Sequence, residues 1–149
     1  MHIKINVRDK HLFLLLGIFL YHLINNLIVL RIDKTPLCAD ASGYHWGSVL
    51  FVRSGLLQGA RPPLFSLVTA PFILLFGEGQ DAVVMVNFIF LFLLLVSVYW
   101  LGSLLFSKQT GLFAALIVSG YPIIFGQSRM YMPDLALTSL VTLSFVFLL

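Results

Sequence analysis

Long apolar segments alternate with short polar stretches along this chain. Apolar residues dominate 12–30, 63–76, 82–106, 112–126 and 135–149, and every Asp, Glu, Lys and Arg lies outside these segments. Helices of a soluble domain carry polar residues on one face at every turn, so uninterrupted apolar runs cannot all pack around one small core. Most of these segments approach the roughly 20 apolar residues that a helix needs to cross a bilayer. The pattern predicts an all-α, polytopic transmembrane protein.

The segment 63–76 is too short to cross a bilayer easily. At about 1.5 Å per residue its helix is roughly 21 Å long, against a hydrocarbon thickness of roughly 30 Å, and Pro71 weakens it. We expect it to lie in the outer interface, within an outer loop 31–80 that carries short juxtamembrane helices. The predicted spans are then 12–30, 82–106, 112–126 and 135–149. If 63–76 did cross, Asp40 and Asp134 would lie on opposite sides of the membrane.

Basic residues set the expected orientation. Lys4, Arg8 and Lys10 precede the first apolar segment and favour a cytoplasmic N-terminus, with the following loop outside. The segment is longer than the core of a signal peptide and no small-x-small cleavage pattern follows it, so we interpret it as an uncleaved span. We expect a multi-pass protein of the plasma (inner) membrane. Within the first span, three polar residues are expected to hydrogen-bond to another helix: His22, Asn25 and Asn26.

Composition agrees with this interpretation. Of 149 residues, 60% are hydrophobic and 10% are charged, whereas soluble domains have roughly 45–50% apolar residues. The net charge of +3 is dispersed and forms no basic run, so we expect no nucleic-acid partner. The single cysteine, Cys38, excludes an internal disulfide and a cysteine-based zinc site.

Two carboxylates near the ends of apolar segments are candidate catalytic residues. Asp40 lies in the most polar and aromatic stretch outside the predicted spans, where a carboxylate could deprotonate a hydroxyl or hold a divalent cation. Asp134 follows Pro133 and opens the last apolar segment. For each residue the alternative is that the carboxylate caps the helix that follows it.

Arg61 is a candidate phosphate ligand. It precedes Pro62 and Pro63, which limit the directions of the backbone and of the guanidinium group. The alternative is an arginine that snorkels beside the first residue of a helix. Near Asp40, His45 could assist the carboxylate, and Tyr44 could form a platform for a sugar or belong to the interfacial aromatic belt.

The order of these features resembles the GT-C glycosyltransferases, in particular the aminoarabinose lipid A transferase, the Rgt-type lipopolysaccharide transferases and the protein O-mannosyltransferases. The resemblance rests on segments in the family's order at plausible spacing: Asp40-Ala41-Ser42-Gly43-Tyr44, Arg61-Pro62-Pro63-Leu64, Leu75-Phe76-Gly77, Gly111-Leu112-Phe113-Ala114-Ala115-Leu116 and Ser128-Arg129-Met130-Tyr131-Met132-Pro133-Asp134. The family often has a second acid directly after the first, where this chain has Ala41, and a His where it has Arg61. The resemblance therefore leaves open whether a divalent metal ion takes part.

The resemblance implies a glycosyltransferase that moves a sugar from a polyprenyl-phosphate donor to a lipid, glycan or protein acceptor at the outer face. Asp40 would be the base, and Asp134 would orient the acceptor or help a metal. Tyr44, His45, Arg61 and Arg129 would contact substrate, the two arginines at the lipid phosphate. The donor and membrane lipids are the expected partners.

Two further expectations remain. The segment 135–149 is apolar to its last residue, so we expect the chain to be the N-terminal part of a longer protein and inactive alone. The alternative function is a non-catalytic multi-pass membrane protein, either a transporter fragment or a lipid-binding homologue of the same family. A transporter should place ionisable residues at mid-membrane depth, and this chain places them at segment ends.

Overall fold

A computed structural model describes residues 10–32, 39–59, 61 and 63–149. Every regular element within these residues is a helix, which confirms the all-α prediction. The helices are α1 (Lys10–Ile32), α2 (Ala39–Ser54), α3 (Pro63–Phe76), α4 (Gln80–Val84), α5 (Val86–Leu105), α6 (Lys108–Gly120), α7 (Pro122–Gln127) and α8 (Asp134–Leu148). Cys38, Pro62 and the basic residues before Lys10 lie outside the described residues, as do the interpretations made for them.

Two stretches of helix are long and apolar enough to cross a membrane. They are Lys10–Ile32, and Gln80–Leu105, in which α4 and α5 follow one another almost without a break. They correspond to the predicted spans 12–30 and 82–106. Much of α1 faces outward with large apolar side chains such as Phe13 and Tyr21, which are 64% and 65% exposed. Such a surface is suited to lipid or to further apolar helices.

The short helix α3 has the predicted bounds. It begins at Pro63, where proline's missing N–H costs no helical hydrogen bond. It ends before Gly77, whose φ of 88° is accessible mainly to glycine and whose N–H donates to the carbonyl of Ile73 at 2.9 Å. Pro71 lies inside the helix without ending it.

The third predicted span, 112–126, is divided into two helices. Tyr121 between them is extended, with φ −70° and ψ 126°, and Pro122 is the first residue of α7. A proline disfavours helical backbone in the residue before it, which explains the break. α6 and α8 are shorter than the two long stretches, so their crossing of a membrane stays a prediction.

The core of the protein lies along α5. Val86 and Leu95 are completely buried, and α6 and α8 pack on either side of the helix. Where α5 meets α6, a Cβ on Gly102 would lie 2.7 Å from the Cα of Gly111. Only glycines permit this approach of two backbones, as in the small-residue contacts of membrane helices.

The contacts also give the relative directions of the long helices. His22 and Asn26 of α1 meet Phe125 and Ser128 in that order, so α1 runs parallel to the chain that leads from α6 through α7. α5 runs the opposite way, because its end meets the start of α6 at the two glycines. α8 runs parallel to α5. Phe90 of α5 lines one groove with Ala136 of α8, and the later residues Val98 and Thr142 line another groove together. Along the chain, α1, α5, α6 and α8 therefore alternate in direction, as successive membrane crossings do.

Candidate functional site

The first two turns of α2 form a docking surface for Arg61. Asp40, Gly43 and Tyr44 lie three and four residues apart and therefore share one face of the helix. Nη2 of Arg61 donates to Oδ1 of Asp40 at 3.1 Å, and the guanidinium carbon lies 4.3 Å from the centre of the Tyr44 ring. The structure thus brings together three residues that the sequence singled out separately.

Gly43 makes this docking possible. A Cβ at this position would lie 2.8 Å from Cζ and 3.0 Å from Nε of Arg61, and closer still to Nη2. The guanidinium therefore lies directly against the backbone of α2. Gly43 lies within the segment Asp40–Tyr44 that carries the family resemblance, which implies no role for it; its position three residues after Asp40 was the available signal.

The ion pair leaves hydrogen-bonding capacity on both partners. The Arg61 side chain is 23% exposed and that of Asp40 is 69% exposed. Arginine has five N–H donors, and the contact with Asp40 uses a single one. Among the described residues, no other side-chain hydrogen bond involves either group. The pair can therefore bind an anion through Arg61 and accept a proton at Asp40.

His45 and the second half of α2 contact the connection between α3 and α4. The ring Nε2 of His45 lies 2.7 Å from the carbonyl oxygen of Glu78, and Nε of Arg53 donates to Oε1 of Glu78 at 2.6 Å. A second contact joins Nη2 of Arg53 to Oε2. The Arg53 hydrogen bond lowers the pKa of Glu78, and the positive charge of Arg53 adds to the effect. These contacts hold α2 in place, and His45 is engaged here rather than with Asp40.

Aromatic rings connect this surface to the segment before Asp134. The Tyr44 ring meets the edge of Phe65 at 5.9 Å between centroids, and Phe65 stacks on Tyr131 at 4.7 Å. The hydroxyl of Tyr131, which is completely buried, donates to Oγ1 of Thr69 at 2.8 Å and lies 2.7 Å from Oγ of Ser48. Burial raises the pKa of Tyr131, so the phenol stays protonated and serves as a donor.

Asp134 directly follows Pro133, which lines an apolar groove. It is the exposed first residue of α8, where a negative charge is favourable to the helix dipole. The groove has a volume of about 240 Å³ and is lined by Leu64, Phe65, Phe90, Pro133, Ala136, Leu137 and Leu140. Arg61 precedes Leu64 by three residues, and Asp134 follows Pro133. No hydrogen bond or ion pair joins Asp134 to Asp40 in the described part of the chain.

Arg129 is held by other residues than Arg61. Its Nε donates to Oδ1 of Asn26 at 2.8 Å, and its guanidinium carbon is 3.6 Å from the centre of the Phe125 ring. Asn26 also donates to Oγ of Ser128, directly after α7, at 3.1 Å. For His22 and Asn25, the hydrogen bond to another helix stays a prediction. The two candidate phosphate ligands are thus held by different elements.

The described residues contain no group of three or more His, Cys, Asp and Glu side chains that could hold a metal ion. A divalent metal ion bound by Asp40 or Asp134 would therefore need further ligands from a substrate, and its participation stays a prediction.

Comparison with known families gives a match over much of the chain. A family model described as dolichyl-phosphate-mannose-protein mannosyltransferase matches residues 60–149, which is more than half of the chain. Arg61, Arg129 and Asp134 lie within the matched residues, whereas Asp40, Tyr44 and His45 precede them. Neither the comparison with curated proteins nor that with solved structures gives a match.

Proposed function

The chain belongs to the dolichyl-phosphate-mannose-protein mannosyltransferase family, and from this premise we propose that it transfers a sugar from a polyprenyl-phosphate donor to a lipid, glycan or protein acceptor. The family consists of GT-C-type glycosyltransferases that use dolichyl-phosphate sugar donors. The observation that carries the proposal for this chain is the Arg61–Asp40 pair, which sets a cation with unused donors beside an exposed carboxylate.

Arg61 binds the phosphate of the donor. A guanidinium group can give two parallel N–H bonds to phosphate oxygens, and Nη2 is already oriented by Asp40. When the bond between the anomeric carbon and the phosphate oxygen breaks, negative charge grows on that oxygen. Arg61 stabilises this charge, as preorganised donors do in other group-transfer sites.

Asp40 acts as the general base. The acceptor hydroxyl attacks the anomeric carbon with inversion, its oxygen forms the new glycosidic bond, and its proton passes to the carboxylate. The oxygen bonded to Arg61 is Oδ1, so Oδ2 is the atom that receives the proton. Tyr44 contributes by holding the guanidinium against its ring.

The apolar groove between α3, α5 and α8 holds the first isoprene units of the donor. Its lining is formed by apolar side chains, and one of them, Leu64, follows Arg61 by three residues in the chain. Asp134 at its margin orients the acceptor or helps a metal ion. Arg129 gives a second positive charge for the lipid phosphate. His45 holds α2 against the connection between α3 and α4 through its contact with the carbonyl oxygen of Glu78.

The alternating helix directions support a multi-pass protein, and we propose that it lies in the plasma membrane with its active face outward. In this arrangement α1, α4 with α5, α6 with α7, and α8 cross the membrane, while α2 and α3 lie at the outer interface. The aromatic contacts from Tyr44 through Phe65 to Tyr131 support placement of Asp40 and Asp134 at the same end. In a Cys38-free protein, a cysteine at Ser42 should react with an impermeant maleimide in intact cells and one at Ser107 should not.

The catalytic proposal is tested by Asp40→Asn in native membranes. Asparagine keeps the size of the side chain and still accepts from Arg61, but it cannot take a proton. Turnover of a radiolabelled polyprenyl-phosphate sugar should fall roughly a hundredfold or more, with donor binding and expression nearly unchanged. Turnover close to that of the unmodified protein would remove Asp40 as the base, and loss of folding together with turnover would favour the capping role.

Arg61→Lys tests the phosphate contact. Lysine keeps the charge but has no planar fork, so KM for the donor should rise with less effect on kcat. Arg31→Lys is the matched control, because Arg31 is an exposed arginine at the last turn of α1. An equal rise in KM in both variants would show that Arg61 has no special part in donor binding.

A further inference from the structure

The loop 128–133, which leads from α7 to Asp134, is held by buried polar side chains from other helices. On α5, Asn87 is completely buried, and its Nδ2 donates to the carbonyl oxygens of Met130 at 2.6 Å and Gln127 at 3.3 Å. Gln127 is the last residue of α7, and its carbonyl oxygen also accepts from the backbone N–H of Met130 at 3.3 Å. Asn87 therefore binds the chain at two points three residues apart, the last residue of α7 and Met130 of the loop.

Other buried groups hold the same loop from its opposite side. Asn26 of α1, which is 1% exposed, binds Ser128 and Arg129. The hydroxyl of Tyr131 is bound between α2 and α3. These contacts involve residues that precede Asp134, whose own side chain is exposed. The loop is thus rigidly placed up to the residue that begins α8.

The orientation of the Asn87 amide follows from its surroundings. If the amide were reversed, Oδ1 would face two carbonyl oxygens, so the nitrogen must occupy that side. Oδ1 is left buried without a hydrogen-bond partner among the described residues. Burying such an acceptor costs free energy. Asn87 thus leaves one buried acceptor unsatisfied, while its two N–H groups define the path of the loop.

We infer that Asn87 is a positioning residue that fixes Asp134 through the loop 128–133. The inference rests on the proposed function, in which Asp134 orients the acceptor. Asp134 lies four residues beyond Met130, so a shift of that carbonyl is passed directly along the chain to the carboxylate. A displacement of about 1 Å at a reacting group can lower a rate roughly a hundredfold.

The test compares Asn87→Asp with Asn25→Asp. Aspartate has almost the shape of asparagine, but it offers one donor at most in place of the two N–H groups. Asn25 is a half-buried asparagine of α1 that adjoins Asn26 and lines a groove with Ser119 and Gly120, and no described hydrogen bond joins its side chain to the loop. In the membrane-embedded protein, Asn87→Asp should lower kcat by roughly 10–100-fold with KM for the donor within about twofold, and Asn25→Asp should change neither by as much. Equal kcat values in the two variants would overturn the inference.

A double variant separates positioning from a general loss of structure. If Asn87 acts through Asp134, Asn87→Asp combined with Asp134→Asn should be no slower than Asp134→Asn alone. Rates that fall by the product of the two single effects would show that Asn87 acts elsewhere and would overturn the inference.

Hydrogen exchange over 128–137 gives a readout that does not depend on activity. The backbone amides there should exchange faster in Asn87→Asp than in Asn25→Asp, because the loop has lost its anchor. Equal exchange would overturn the positioning role. These tests use the full-length protein, and failure of the proposed function is recognised separately, as absence of sugar transfer by the unmodified full-length protein in the same membranes.

Discussion

The close contact of α5 and α6 makes Gly111→Ala the most informative stability variant. A Cβ on Gly111 would lie 2.6 Å from Oγ and 2.9 Å from the backbone nitrogen of Ser103, and closer still to the carbonyl oxygen of Tyr99. Nonbonded heavy atoms pack at about 3.5–4.0 Å, so relief requires a movement on the order of 1 Å. Two of the three atoms belong to the backbone, so a change of rotamer cannot provide it. The two helices must separate.

Two effects of opposite sign contribute to the free energy of unfolding. Alanine has a better helix propensity than glycine and stabilises a helix by about 1 kcal/mol. Forcing an extra methyl group into a packed contact costs about 1–3 kcal/mol. Gly17→Ala isolates the first effect, because Gly17 lies within α1 and a Cβ there would have no atom within 4 Å. The difference between the two variants is therefore the cost of the clash.

The measurement is thermal unfolding in detergent, followed by the fluorescence of Trp100, which adjoins Tyr99 on α5 and packs against the core. For a difference of about 2 kcal/mol, Gly111→Ala should unfold about 4–8 °C below Gly17→Ala. Equal unfolding temperatures would refute the reasoning, since they would mean that α5 and α6 are further apart than the structure places them.

Three further variants test the site and its surroundings. Gly43→Ala should displace Arg61 from α2 and raise KM for the donor without unfolding the protein, which donor titration and a melting curve would show together; an unchanged KM would contradict the docking. Tyr131→Phe should lower the free energy of unfolding by about 1–2 kcal/mol, because Ser48 and Thr69 lose a buried partner, whereas Tyr121→Phe, at an exposed tyrosine, should change it little. Because the pKa of Glu78 is lowered in the folded protein, its pairing with Arg53 stabilises the fold above the ordinary glutamate pKa of about 4.3 and ceases to do so as the pH falls through the lower folded value. Glu78→Gln should therefore unfold at a lower temperature than the unmodified protein at neutral pH, with the difference shrinking in acid; a difference independent of pH would contradict this.

Much of the helical architecture could be predicted from local signals. The bounds of α3 follow from Pro63 and Gly77, and the long apolar segments gave α1 and the stretch Gln80–Leu105 to within two residues. The break at Pro122 was missed, because membrane helices often tolerate proline and the apolar pattern continues across it. The signal was present in the sequence, but hydropathy alone does not distinguish a kinked span from two helices.

The arrangement of the site could be predicted only in part. Asp40, Tyr44 and Arg61 were each recognised from residue type and motif, but their contact depends on the path of the chain between α2 and α3, which local propensity does not determine. Asn87 was missed for a related reason. A single asparagine in a long apolar run signals a buried hydrogen bond, yet the two carbonyl groups that it binds lie 40 and 43 residues further along the chain.

The long sequence separation of these contacts has a consequence for biosynthesis. Asn26 and its partner Ser128 are 102 residues apart. At a synthesis rate of roughly 5–20 residues per second, α1 leaves the ribosome several seconds before the residues that satisfy its buried amide. During that interval the amide must be hydrated or held by the insertion machinery. The hydrogen bond of Asn26 in the nascent α1 therefore forms only after residue 128 has been synthesised. On ribosomes stalled before residue 128, α1 should still be accessible to insertion factors.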